Sequence, residues 1–355
     1  MSKTIDRIKY SNDPEMATPS DVKTYFDEGI KQLNKVLIGE EEAKKFLLVA
    51  SIAGGPGEAA ILGGTPGGSK TRFMNAFFKL FEDLNSEDIV PIPIDKDLSP
   101  IQIVGGRIIS PLQILNKEGD LIEERTEIRD IIGKVNASTK VLKFDEMNRI
   151  DPGALNFLLE GIEEGKLTTI AEIVRLSLFM VISTQNGSDV GHSTYPISPA
   201  NASRQARGVV LGDNSADIPE VKIDRSNIIQ SNYKGELSSV EVDAVITLAG
   251  VERIRKYAGS LATGDLELAK AEELVIKANE ALRDFRIPES DGRMARQIGN
   301  GARAFAAVKG ELMVSEESIR QSVRSTLIAR LISRSRFDSA KVNQEADRVI
   351  EQPAE

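Results

Sequence analysis

An open parallel α/β sheet followed by a set of helices is the fold this sequence predicts, and three apolar runs that each end in a polar constellation predict it. Ala59-Ala60-Ile61-Leu62 leads into Gly64-Thr65-Pro66-Gly67-Gly68-Ser69-Lys70-Thr71. Val141-Leu142-Lys143-Phe144 leads into Asp145-Glu146, and Leu178 to Ser183 leads into Thr184-Gln185-Asn186. Short apolar runs bounded by turn signals read as buried strands, and open α/β sheets bind ligands at the carboxyl ends of such strands.

The first constellation, Gly64 to Thr71, is a phosphate-binding loop. Its glycines let successive backbone N–H groups face triphosphate oxygens, and a helix starting near Lys70 adds its positive dipole end. Lys70 reaches the β- and γ-phosphates, and the Thr71 hydroxyl holds Mg²⁺. Ser69 stands where the strict pattern has a last glycine, and it is small enough for the loop to survive. Phe73, Phe77, Leu80, Phe81 and Leu84 then recur at helical spacing over Arg72 to Leu84. Strand, loop and amphipathic helix thus occur in the required order, which weighs against an ordinary Gly-rich turn.

The adjacent acids have separate tasks: Asp145 holds the metal and its water shell, and Glu146 orients or deprotonates the attacking water. Lys143 within that strand is expected to snorkel towards an edge or to pair with an acid. Asn186, at a strand's carboxyl end, is a candidate nucleotide sensor bonding the γ-phosphate or the attacking water. Asn is also a routine turn residue, and the two earlier motifs favour the sensor.

With these residues in place, the sequence resembles the MoxR-type AAA+ ATPases, which include the ATPase subunits of magnesium and cobalt chelatases and several cofactor-insertion chaperones. The likeness runs from roughly Val36 to Leu331. Beyond the two Walker motifs it rests on Asp145-Glu146-Met147-Asn148-Arg149, Leu158-Leu159-Glu160-Gly161-Ile162-Glu163-Glu164, Thr184-Gln185-Asn186 and Thr194-Tyr195-Pro196. The resemblance implies an AAA+ P-loop core with a parallel sheet, a C-terminal helical lid, ATP and Mg²⁺ as ligands, and a ring, hexameric in the family. It implies that Val36 to Glu40, with Ile38 and Gly39, packs against adenine. It implies that Arg204 is the arginine finger supplied to the neighbouring subunit's nucleotide, with Arg207 as the alternative. Arg293 takes the place of the second sensor, reaching from the lid to the γ-phosphate, with Arg296 one turn later. Ser203 and Gln205 flank Arg204 where the family has Asp and Phe, and Asp291-Gly292 replaces its usual Ser-Pro.

The expected divisions are a mobile tail over 1–20, the α/β ATPase domain over 21–235, the lid over 236–333 and a charged tail over 334–355. The boundary should fall between Gly208 and Ser239, around a last strand at Pro219 to Asp224. Helical periodicity marks Glu41 to Ile52, Val240 to Tyr257, Asp265 to Arg283, Arg293 to Val308 and Glu316 to Ile332, the last with Ser315 as N-cap. Two inserts are expected, Arg107 to Arg125 turning over Asn116 to Asp120, and Lys166 to Arg175 turning near Ala171-Glu172.

Composition narrows the function. A chain of 355 residues with 41% hydrophobic content can bury more than one core. Zero cysteine excludes disulfides and thiolate sites, and His192, the single histidine, excludes a Cys/His zinc centre. No run reaches the roughly eighteen apolar residues of a membrane span, and the first twenty residues do not read as a leader, so a cytoplasmic protein away from membranes is expected. A net charge of −9 argues against wide contact with nucleic-acid phosphates, and neither insert interleaves basic and aromatic residues for base stacking. The sequence therefore favours Mg-dependent ATP hydrolysis in a homo-oligomeric ring that remodels a partner protein, in the family often one carrying a von Willebrand factor A domain. The alternatives are a DNA-translocating motor and an ATP-gated structural ring with slow turnover.

Overall fold

Five parallel strands organise the structure, a computed structural model that describes residues 16–37, 39–64, 70–92, 100–115, 121–168, 173–187, 197–211, 242–284, 291–333 and 339–351. They are β1 (Ala59–Gly64), β2 (Ile89–Ile92), β5 (Val141–Phe144), β8 (Met180–Asn186) and β9 (Gln205–Leu211), in the order β2-β5-β8-β1-β9. All four pairings are parallel, and β1 lies between β8 and β9. Successive side chains point to opposite faces. Leu142 and Phe144 pack with Leu155, Leu158 and Ile162 on one face, while Val141, Met180 and Ile182 join Phe73 and Phe77 on the other.

Helices cover both faces. Thr18 and Asp21 form a reciprocal capping box at the start of α1 (Pro19–Val36), and α2 (Glu41–Ile52) has the bounds its periodicity predicts. The helix after the phosphate loop, α3 (Lys70–Phe78), is shorter than expected: the chain turns at Lys79 and Leu80, and Phe81 bridges to Ile246. A short α4 (Pro100–Val104) leads into the antiparallel pair β3 (Gly105–Leu115) and β4 (Leu121–Ile132), the first expected insert. Asp151 caps α5 (Pro152–Glu164), which Gly165 ends in a left-handed conformation, φ 65°. The second insert is the pair β6 (Lys166–Thr168) and β7 (Ile173–Arg175). Both insert tips lie outside the described residues, as do His192 and the expected strand at 219–224.

The last strand of the described sheet is β9, a strand not named from the sequence. Its seven residues are all buried, although Gln205 and Arg207 make its first half look polar in sequence. A short α6 (Pro199–Ala202) precedes it.

The helices that follow are α7 (Leu248–Ser260), β10 (Ala262–Thr263) and α8 (Asp265–Asp284), then α9 (Asp291–Lys309), β11 (Met313–Val314), α10 (Glu316–Ile332) and α11 (Ser339–Glu351). Ser315 caps α10 as expected, accepting the Ser318 N–H. Residues 242–247 are not helical; Thr247 caps α7. Within the expected charged tail lies α11, whose Val342, Ala346 and Val349 are buried along one stripe. Arg324 of α10 holds this helix through Asp347 at 2.6 Å.

Helix α10 also packs against β9. A Cβ on Gly208 would lie 2.6 Å from the Ala329 backbone, so strand and helix meet backbone to backbone. Among the described residues no helix is long and apolar enough to cross a membrane.

Candidate nucleotide-binding site

Parallel strands put all their carboxyl ends on one edge, and there the structure gathers the candidate site residues. Gly64 of β1 is in register with Asn186 of β8, and Asp145 follows β5. Lys70 opens α3 and donates to the Gly64 carbonyl at 3.1 Å. Its side chain is buried, and this burial holds its pKa below that of an ordinary lysine against the weaker opposing pull of Glu146 and Asp145.

Thr71 Oγ1 donates to Asp145, 3.1 and 3.2 Å from its two oxygens. Thr184 Oγ1 donates to Asp145 Oδ1 at 3.0 Å and accepts the Glu146 N–H at 2.9 Å. Glu146 has left-handed backbone angles, φ 52° and ψ 64°, a conformation costing a non-glycine residue about 1 kcal/mol or more. The bond from its N–H to Thr184 helps hold that turn. Its carboxylate lies between Asn186 Nδ2 and Arg149 Nε, the latter at 2.5 Å. Lys143 donates to Asn75 Oδ1 at 3.1 Å, so its head meets an amide where an acid was one expected partner.

Lys70, Thr71, Asp145, Glu146 and Asn186 therefore converge. Thr65, Pro66, Gly67, Gly68, Ser69 and Ile38 lie outside the described residues, as does Thr194-Tyr195-Pro196; Gly39 is half-buried ahead of α2. Sequence reasoning named Thr184 within Thr184-Gln185-Asn186 but gave it no role of its own. Among the described residues no three acids or histidines gather to hold a metal. One hydroxyl and one carboxylate, Thr71 and Asp145, suit a Mg²⁺ that takes its remaining ligands from phosphates and water.

The arginines lie at the other edge. Gln205 pairs with Ala59, so Arg204 stands at the amino end of the sheet. The five residue steps from Ala59 to Gly64, at about 3.3 Å each, put roughly 16 Å of strand between that edge and the phosphate loop. Helix α5 runs back the same way, and Ile162 near its end accepts the Gly57 N–H at 2.8 Å. This brings Glu163 to the arginines. Arg204 Nη2 is 2.9 Å from Glu163 Oε2, and its Nη1 donates to the Ala200 carbonyl at 2.7 Å. Arg293 donates from Nε and Nη2 to the two Glu163 oxygens at 3.1 and 3.2 Å, and from Nη1 to Ser203 Oγ at 3.0 Å. Arg293 thus stands with Arg204, away from the Lys70 edge of its own chain.

Arg207 points inward and is 0% exposed. Its fork reaches Glu58 Oε2 at 2.6 Å and the Gln297 carbonyl at 2.9 Å. Asn300 holds the other Glu58 oxygen at 2.6 Å, and Arg330 joins Gln297 Oε1 at 2.6 Å to the Ser203 carbonyl at 2.9 Å. This network ties β9 to α9 and α10, and it leaves Arg207 no reach towards another chain. Arg296 is exposed one turn beyond Arg293.

The chain has similarities to several known proteins. The chain is 27% identical to the uncharacterized protein YeaC of Bacillus subtilis over 190 residues, 53% of this chain and 52% of YeaC. It is 24% identical to the structural protein ORF618 of Acidianus two-tailed virus over 259 residues, 72% of this chain and 38% of that protein. The chain therefore spans about half or less of either relative's length. The crystal structure of a candidate ATPase from Cytophaga hutchinsonii superposes with a TM-score of 0.64 at 21% identity, covering 94% of this chain and 97% of that one, which establishes a shared fold. Residues 59–206, from β1 to the start of β9 and including Lys70, Thr71, Asp145, Glu146, Asn186 and Arg204, match the model of the ATPase family associated with various cellular activities (AAA).

Proposed function

We propose that this chain binds Mg-ATP at the carboxyl edge of its sheet and hydrolyses it with arginines from the amino edge of a neighbouring copy. The observation that carries this reading is the separation itself. A site with Lys70, Thr71, Asp145, Glu146 and Asn186 has its candidate arginines, Arg204 and Arg293, at the far end of the strands. A head-to-tail arrangement lets one copy's arginines meet the next copy's phosphates, and repetition of that contact closes a ring when the rotation allows; six copies are expected by resemblance to the MoxR-type ATPases.

In this mechanism Lys70 neutralises the phosphates, Thr71 and Asp145 hold Mg²⁺, and Glu146 with Asn186 positions the attacking water. When bound, Mg²⁺ supplies charge neutralisation on the phosphate oxygens. Arg204 stabilises charge on the transferring phosphoryl group, and Arg293 joins it from the same side. The output is the remodelling of a protein partner, which the net charge of −9 favours over a nucleic-acid track.

The test is turnover. Purified protein should hydrolyse ATP in a Mg-dependent way, and Glu146→Gln should abolish most hydrolysis while leaving nucleotide binding intact. An ATP-gated structural ring is the second reading, favoured by the likeness to a viral structural protein. Tight ATP binding with negligible turnover by the unaltered chain would select it.

A further inference from the structure

We propose that Glu163 is a positioning residue for catalysis in the neighbouring copy: its carboxylate holds Arg204 and Arg293 together so that both guanidinium groups are presented as one unit. The inference rests on the shared-site reading and adds to it the residue that sets the arginines' geometry.

Two guanidinium groups side by side repel. Glu163 removes that penalty by placing one carboxylate between them, leaving the trio with a single net positive charge facing outward. The contacts are directional. Arg293 engages both Glu163 oxygens through a planar fork, and Arg204 meets Oε2 at 2.9 Å. Such forks fix orientation as well as charge. Ser203 completes the unit: it accepts from Arg293 Nη1 at 3.0 Å and donates to the Ala200 carbonyl at 3.1 Å, the same oxygen that takes Arg204 Nη1. Arg204 and Arg293 come from elements far apart in sequence, and Glu163 is the acid that both share.

None of the three is sealed in the core, since side-chain exposures are 18% for Arg204, 24% for Arg293 and 22% for Glu163. The cluster can therefore meet another copy while Glu163 is retained behind the arginines. The structural network of Arg207, Glu58 and Arg330 lies beneath it and does not use Glu163.

The experiment is steady-state ATP hydrolysis by Glu163→Ala, by Glu163→Gln and by mixtures with Glu146→Gln. Glu163→Ala should lower kcat by about 10- to 100-fold, the scale of a small misplacement of a positioned group, with little change in KM. Glu163→Gln keeps the side-chain shape and one acceptor oxygen for the guanidinium groups and should recover part of the loss. Adding Glu146→Gln chains, which keep their own Arg204, Arg293 and Glu163, should raise the rate of Glu163→Ala chains, because a competent neighbour then serves their intact sites. A fold defect would not be repaired by mixing. Unchanged or increased kcat in Glu163→Ala, or a mixture no faster than its parts, would overturn the proposal. If the unaltered chain does not hydrolyse ATP at all, the shared-site reading fails first.

Discussion

Thr184 Oγ1 bridges Asp145 and Glu146, donating to the first carboxylate at 3.0 Å and accepting the second residue's N–H at 2.9 Å. One buried hydroxyl thus aligns Asp145, the acid proposed to hold the metal, and pins the left-handed turn at Glu146, the acid proposed to act on the water. Thr184→Val keeps the shape and removes both bonds, leaving a part-buried N–H unpaired at a cost of about 1–3 kcal/mol. We expect a kcat at least about 10-fold lower and a raised Mg²⁺ requirement, read by titrating Mg²⁺ at saturating ATP. An unchanged Mg²⁺ midpoint and rate would remove Thr184 from the site.

Arg207 and Arg204 are three residues apart and should fail in different ways. Removing Arg207 leaves Glu58 buried without its 2.6 Å partner, and breaking such a pair costs about 3 kcal/mol or more. Arg207→Met should lower the thermal unfolding midpoint by roughly 5 °C or more, whereas Arg204→Ala should leave it nearly unchanged while abolishing turnover. Equal melting behaviour in the two variants would contradict a structural role for Arg207 set apart from a catalytic one for Arg204.

Gly208→Ala tests the seam between β9 and α10. A methyl group there meets the Ala329 backbone at 2.6 Å, and no side chain can rotate away. Overpacking of this kind costs about 1–3 kcal/mol, so denaturant unfolding should shift to a lower midpoint. A neutral effect would mean that the strand and helix separate more easily than their packing implies.

Lys70 gives a pH signature. Burial holds its pKa low in the free protein, and a bound triphosphate, being anionic, raises it again. Binding then takes up protons wherever free Lys70 is partly neutral, so affinity should fall as pH rises through that depressed pKa. Calorimetry in buffers of different ionisation enthalpy measures the uptake directly. Absence of proton uptake on the alkaline side, or its persistence in Lys70→Arg, would contradict this role for Lys70.

The sequence made the carboxyl edge of the sheet legible because three of the five strands, β1, β5 and β8, end in a motif whose chemistry is local. Lys70, Thr71, Asp145 and Asn186 need only a strand, a turn and a helix in order. The amino edge was less legible because its meaning is non-local: Arg204, Arg293 and Glu163 are brought together by the return of α5 and the packing of α9. Strand β9 was missed because its polar first half, Gln205 and Arg207, is satisfied by buried partners that no spacing reveals. Helix α11 was missed for the opposite reason, since frequent charges obscured a three-residue apolar stripe at Val342, Ala346 and Val349.

The shared site is tested most directly by mixing Arg204→Ala with Glu146→Gln and measuring ATP hydrolysis. Each variant alone should be nearly silent: the first keeps a complete phosphate site without its neighbour's arginine, and the second keeps the arginine beside a dead site. Mixed assemblies should regain turnover, because Glu146→Gln chains supply Arg204 to the intact sites of the other variant. A mixture as silent as its parts would contradict a site divided between copies and return the arginine to its own chain or remove it from catalysis.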